Sequence, residues 1–136
     1  MYRIKIISIG KNKESWLKTA LSEYEKRLTG LMQIQWLLKK KDSDLKKTVL
    51  EEKKFHCLDP NGISYTSEGF SKLITQNASI TLVIGGALGI DDTIKTKAQS
   101  LISLSPLTFT HQHTRLILLE QLYRAIEIHK GSDYHK

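Results

Sequence analysis

Apolar and polar positions along this chain change period several times, and each change marks an element. Ile4, Ile6 and Ile9 lie in a β-branched run closed by Gly10, which predicts a first strand. From Glu14 to Leu28 the apolar positions fall at helical spacing, with Trp16, Leu17, Ala20, Leu21, Tyr24 and Leu28 on one stripe and Gly30 as the stop. Met32, Ile34, Trp36 and Leu38 then alternate with polar residues, the period of a second strand. Lys39 to Asp44 is a charged turn, with Asp42 or Ser43 as the expected cap of a short helix over 45–52. A third strand is expected over Phe55–Leu58, stopped by the turn signal Asp59-Pro60-Asn61-Gly62.

The second half continues the alternation. A helix is expected over Ser67–Gln76, burying Phe70, Leu73 and Ile74. The almost wholly apolar run Ile80–Ile84 has the character of a central parallel strand covered on both faces. It opens into Gly85-Gly86-Ala87-Leu88-Gly89, and Asp91 or Asp92 then caps a helix carrying Ile94, Ala98 and Leu101. A short strand near Ile102–Leu104 leads through Ser105-Pro106-Leu107-Thr108-Phe109 into a last helix from about Thr110 to Lys130. Its expected inward residues are Leu116, Leu119, Leu122, Tyr123 and Ile126, and Gly131 ends it. The sum is one α/β domain over residues 1–136 with a mostly parallel sheet. Ligands of such sheets sit beyond the carboxyl ends of the strands. Leu58–Gly62, Gly85–Gly89 and Leu104–Phe109 are therefore the expected walls of one pocket.

Composition changes this picture in one respect. The 136 residues are 40% apolar and 26% charged, ordinary for a globular chain. No apolar run has the length of a membrane span, the first residues lack the pattern of a secretion signal, and the lone Cys57 has no disulfide partner, so the cytoplasm is the expected compartment. The net charge of +7 is unevenly placed, however. Residues 1–54 carry fourteen Lys/Arg against seven Asp/Glu, while the remainder carries seven of each. That division fits either a polyanion-binding face or a solvated lysine-rich surface.

Individual motifs narrow the chemistry. Gly85-Gly86-x-x-Gly89 lets backbone approach a ligand, or forms a tight βα turn. The leading glycine of the dinucleotide fingerprint is missing, and Leu104-Ser105-Pro106 stands where a ribose-holding acid would be needed, so a nicotinamide enzyme ranks last. His111 and His113, two apart on a helix, diverge and do not suit a metal, and no zinc-type ligand set accompanies them. His111 reads as a site residue or a polar cap. Arg115, Glu120, Gln121 and Arg124 interrupt an apolar helix; Arg124 suits either a phosphate or an i, i+4 ion pair with Glu120. Cys57 reads as a buried apolar residue. The tail Tyr134-His135-Lys136 offers stacking, proton transfer and phosphate contact.

These stretches together resemble the RlmH family of ribosomal RNA methyltransferases. The resemblance is carried by Ile84-Gly85-Gly86-Ala87-x-Gly89, by Ser103-Leu104-Ser105-x-Leu107-Thr108-Phe109 followed by His111-Gln112-x-x-Arg115, by Glu120-Gln121-x-Tyr123-Arg124-Ala125, and by the closing Tyr134-His135. Ile9-Gly10-Lys11 and Glu23-Tyr24-x-Lys26-Arg27-Leu28 fit as well. It implies a SPOUT fold with a C-terminal trefoil knot, which sequence rules alone disfavour. It also implies a homodimer, S-adenosyl-L-methionine as methyl donor, and methylation of N3 of a pseudouridine in 23S ribosomal RNA of the ribosome. The cofactor would be bound by Leu58, Gly85, Leu104, Ser105, Pro106, Leu107, Thr108 and Phe109. On this reading His135 or a phosphate-anchored water takes the N3 proton, Tyr134 packs on the base and Arg124 holds RNA phosphate. Residues 39–54 are shorter than the family's segment, and Pro106 and Asp133 replace its usual residues. A non-catalytic RNA- or ribosome-binding protein with the same fold is the alternative, distinguished by failure to bind the cofactor.

Overall fold

The computed structural model describes residues 1–136. Five strands, β1 (Tyr2–Ile9), β2 (Met32–Lys39), β3 (His56–Ser64), β4 (Ser79–Ile84) and β5 (Ser100–Ser103), alternate with α1 (Ser15–Arg27), α2 (Asp42–Leu50), α3 (Ser67–Thr75) and α4 (Asp92–Lys97), and α5 (His111–Lys130) follows β5. All pairings are parallel and the strand order is β2-β1-β4-β3-β5.

Strand residues alternate between two helical layers, which explains the near-continuous apolar runs of β1 and β4. Ile4, Ile6, Ile80, Leu82 and Ile84 pack with α1, α3 and α5 in the larger core; Ile7, Cys57 and Val83 pack with α2 and α4 in the smaller. Crossovers that move one way along the sheet (β1 to β2, β3 to β4) run over the first layer, and those that move the other way run over the second. That is the arrangement a single crossover hand requires. Each fully buried Leu or Ile contributes about 1.5–3 kcal/mol, so these layers fix where every strand's carboxyl end lies.

Several expectations are corrected. Asp59–Gly62 does not end β3. It bulges out between Leu58 and Ile63, both registered opposite Ile102, and the strand resumes to Ser64. The bulge passes so close to β5 that a Cβ on Gly62 would lie 2.5 Å from the Leu101 carbonyl. Helix α2 begins at Asp42 with Lys41 as its uncapped entry, so neither Asp42 nor Ser43 caps it. Lys39–Asp44 is thus mostly helix and strand end, and Leu45 and Val49 are the helix residues that bury. Leu101 belongs to β5 rather than to α4. Trp16, expected on the buried stripe of α1, is 46% exposed and stacks on His113 at 5.1 Å. The expected caps at Asp91 and Gly131 are in place.

Cys57 is fully buried in β3, and burial pushes its thiol up to about 12. A thiolate-selective reagent at pH 8 should therefore leave the native protein unlabelled and modify one thiol per chain after denaturation; rapid native labelling would mean that β3 opens.

Candidate functional site

The carboxyl ends of β3, β4 and β5 and the start of α5 enclose a cavity of about 580 Å³, within the usual range of small-molecule sites. Its walls include Leu58 from β3, Gly85 from β4, and Leu104, Ser105, Leu107, Thr108 and Phe109 from the segment after β5. Seven of the eight residues that the resemblance assigns to the cofactor thus meet in one space. Pro106 is the exception. It is exposed and outside the wall, because Ser105 Oγ accepts from the Leu107 N–H at 3.0 Å and curls the segment into a local turn with Pro106 at its outside.

Sequence local to each wall explains its shape. A Cβ on Gly85 would lie 2.8 Å from the Gly89 carbonyl carbon and 2.8 Å from Ile90 Cγ1, so the loop folds back on itself only over a glycine. Asp59, at the cavity edge, accepts from the Asn61 N–H at 2.8 Å and pairs with Lys95 Nζ at 2.8 Å. The Lys95 ammonium holds the Asp59 carboxyl below the usual carboxylate range, which keeps the β3 bulge anchored to α4. Thr110 Oγ1 accepts from the His113 N–H at 3.3 Å and caps α5. His111, for which cap and site were both open, is therefore not the cap; it lines the cavity while His113 turns to Trp16. Burial first, then the neighbouring Arg115 guanidinium, lowers the His111 imidazole from its ordinary value.

The tail forms a second, separate cluster. Arg124 Nε lies 3.2 Å from Glu120 Oε1, and its guanidinium sits 4.8 Å from the centre of the Tyr134 ring. Tyr134 donates to Glu120 Oε2 at 2.7 Å, a bond that first among its causes pushes the phenol up to about 12. His135 Nδ1 lies 3.0 Å from Arg124 Nη1, and its Nε2 pairs with Glu68. The ion pair foreseen between Glu120 and Arg124 is present, and the tail is docked rather than frayed. Arg124 stands thirteen residues beyond His111 on α5, about 20 Å at the helical rise. Within one chain the cluster does not border the cavity.

One residue escaped the sequence reading in its role. Arg115 is fully buried, whereas the sequence places it only as a charge in an apolar helix and as part of the motif His111-Gln112-x-x-Arg115. The signal was available: 115, 118, 119 and 122 share the i, i+3, i+4, i+7 spacing of an inward face.

The comparisons agree with this geometry. A family model described as "Predicted SPOUT methyltransferase" matches residues 2–135. The chain is 50% identical over 141 residues to a protein of Protochlamydia amoebophila named Ribosomal RNA large subunit methyltransferase H, covering both chains fully. It is 37% identical over 158 residues to a Streptococcus pyogenes protein of the same name, covering 98% of this chain and 99% of that one. That alignment exceeds the present 136 residues, so this relative carries residues the chain lacks. Among solved structures, TrmJ of Z. mobilis superposes with a TM-score of 0.57 at 9% identity, over 92% of this chain and 70% of that one. A putative methyltransferase of Legionella pneumophila, solved with bound SAM, gives 0.54 at 12% over 92% and 66%. At such identities these two similarities speak to the fold alone.

Proposed function

Because the chain belongs to the SPOUT methyltransferase family, we propose that it methylates N3 of a pseudouridine in large-subunit ribosomal RNA, working as a cytoplasmic homodimer on the ribosome. The observation that carries this reading is the cavity at the ends of β3, β4 and β5, lined by seven of the residues at which the chain resembles the RlmH family. Full-length 50% identity to a relative named for that reaction class supports it. The C-terminal trefoil knot is part of the same reading.

The cavity fits S-adenosyl-L-methionine by size, and the loop folded back over Gly85, where a Cβ would strike the Gly89 backbone, forms one of its walls. Leu58, Leu104, Leu107 and Phe109 supply apolar walls, with Ser105 and Thr108 as polar groups; Pro106 acts from outside by fixing the turn. When bound, the group supplies an electrophilic methyl on a sulfonium. What remains for the protein is positioning and removal of one proton from the attacking nitrogen. In this proposal Tyr134 packs on the base, Arg124 moves from His135 to hold a phosphate, and the His135 Nδ1 so freed, or a phosphate-anchored water, accepts the N3 proton. Glu120 and Glu68 keep the three in place. Because they lie away from the chain's own cavity, the proposal has them serve the cavity of a partner subunit.

The test is transfer of labelled methyl from S-adenosylmethionine to ribosomes lacking this modification, read at the modified nucleoside. The wild type should label one site. His135→Ala and deletion of residues 134–136 should each lower turnover by roughly 10²-fold with cofactor affinity unchanged; both leaving turnover intact would refute the tail's role. Mixing the tail-deleted chain with Gly85→Arg should raise labelling well above that of either alone if the tail acts across the dimer. Saturable ribosome binding without cofactor binding would favour the non-catalytic reading.

A further inference from the structure

Arg115 is an expensive residue for a domain core: a guanidinium with no measurable exposure and no carboxylate hydrogen-bonded to it. Burial pulls its guanidinium below the ordinary value. All of its bonds go to the end of β1 and the loop that follows. It donates to Ser8 Oγ at 3.0 and 3.2 Å, to the Ile9 carbonyl, to the Lys11 carbonyl at 3.1 Å and to Asn12 Oδ1 at 2.8 Å. A buried cation is retained at that cost only when its geometry is needed. What it fixes is a short loop that carries Lys11 and Lys13 on its outside, both exposed and neither in an ion pair.

Two further observations place this loop. The Gly10 N–H donates to the Lys39 carbonyl at 2.9 Å, which ties it to the end of the neighbouring strand β2, where Lys39, Lys40 and Lys41 are also free of ion pairs. A Cβ on Gly10 would come within 3.2 Å of His111 Nε2, and His111 lines the cavity. The five lysines therefore follow one edge of the sheet away from the cavity mouth. The carboxylates nearby in sequence are Asp42 and Asp44, exposed on the first turn of α2, and Glu14, one of whose oxygens is buried without a partner.

We propose that the Arg115-clamped loop Gly10–Lys13 and the β2 end Lys39–Lys41 form a phosphate track that guides single-stranded RNA to the cavity. Ammonium groups free of ion pairs on clamped backbone, exposed at Lys11, Lys13, Lys40 and Lys41 and half-buried at Lys39, suit a sequence-independent polyanion contact, with the cavity supplying selection. This deepens the function proposed above and rests on it for the identity of the polyanion. Arg115 acts as a positioning residue and touches no RNA.

The test is fluorescence anisotropy of the full-length protein with a labelled single-stranded RNA oligonucleotide across a KCl series. Lys11→Ala with Lys13→Ala, and Lys40→Ala with Lys41→Ala, should each weaken binding and lower the slope of log affinity against log salt by about 1 to 2. Lys53→Ala with Lys54→Ala, at the opposite edge before β3, should leave that slope unchanged. Arg115→Lys, which keeps the charge but loses the fork, should weaken RNA binding several-fold without lowering cofactor affinity. Equal losses in all three lysine pairs would reduce the track to net charge and overturn it, as would unchanged slopes or no RNA binding by the wild type. Failure of the methyl-transfer reading is read separately, as absence of cofactor binding with these slopes intact.

Discussion

Gly85→Ala is expected to abolish saturable S-adenosylmethionine binding and to lower methyl transfer by at least about 10²-fold. The reason is contact with backbone rather than with a movable side chain. The new Cβ would lie 2.8 Å from the Gly89 carbonyl carbon and 2.9 Å from its oxygen, as well as 2.8 Å from Ile90 Cγ1. Backbone cannot swing aside, so Gly85–Gly89 must shift as a unit, and it forms one wall of the cavity. Ile90 and Ile94 are buried in the smaller core just beyond, which limits where the loop can go. Overpacking of this kind costs about 1–3 kcal/mol, so the variant should remain folded while losing its ligand. Calorimetric titration of wild type, Gly85→Ala and Gly85→Arg measures this directly. Wild-type affinity in a folded Gly85→Ala would mean that the ligand does not use this wall.

Arg115→Met should lower stability by about 3–5 kcal/mol, the sum of several buried acceptors that each lose a donor at about 1–3 kcal/mol. The substitution keeps much of the volume and removes every donor. Ser8 Oγ, fully buried, keeps only its long bond to the Ile9 carbonyl, and the Lys11 carbonyl and Asn12 Oδ1 lose this donor. Unfolding free energies of domains this size are about 5–15 kcal/mol, so the expected loss is a large share of the whole. Urea unfolding with an unchanged slope and a much lower midpoint is the result to look for. A loss below about 1 kcal/mol would show that desolvation of the guanidinium cancels its hydrogen bonds.

The two clusters of residues proposed to act in methyl transfer differ in how they depend on the fold. The cavity walls belong to three successive strand ends, and a parallel sheet with helices on both faces brings all such ends to one edge. The tail cluster depends instead on α5 as a ruler: Glu120, Arg124 and Tyr134 meet because a helix places residues four apart on one face and Gly131 then turns the chain back.

The order of elements, their approximate extents and the three cavity-forming loops were legible in the sequence because period-2 and period-3.6 patterns respond to burial on one or two faces, a property local to each segment. Leu17 with Leu21, Phe70 with Ile74, and Ile80 through Ile84 bury as their spacing predicts. What failed was whatever depended on a distant neighbour. Asp59–Gly62 reads as a stop, yet β5 re-pairs the chain at Ile63 and turns the stop into a bulge. Trp16 has the spacing of a buried residue, but its place at the first turn of α1 leaves it against His113 instead of the core. Pro106 matches a cofactor motif by position, and only the turn closed by Ser105 puts it outside the wall. Arg115, a charge in an apolar helix, gains its partners from residues more than one hundred positions earlier. Local spacing encodes which face of an element is apolar; which groups meet across elements is set by strand order and crossover, and those are decided only when the whole sheet assembles.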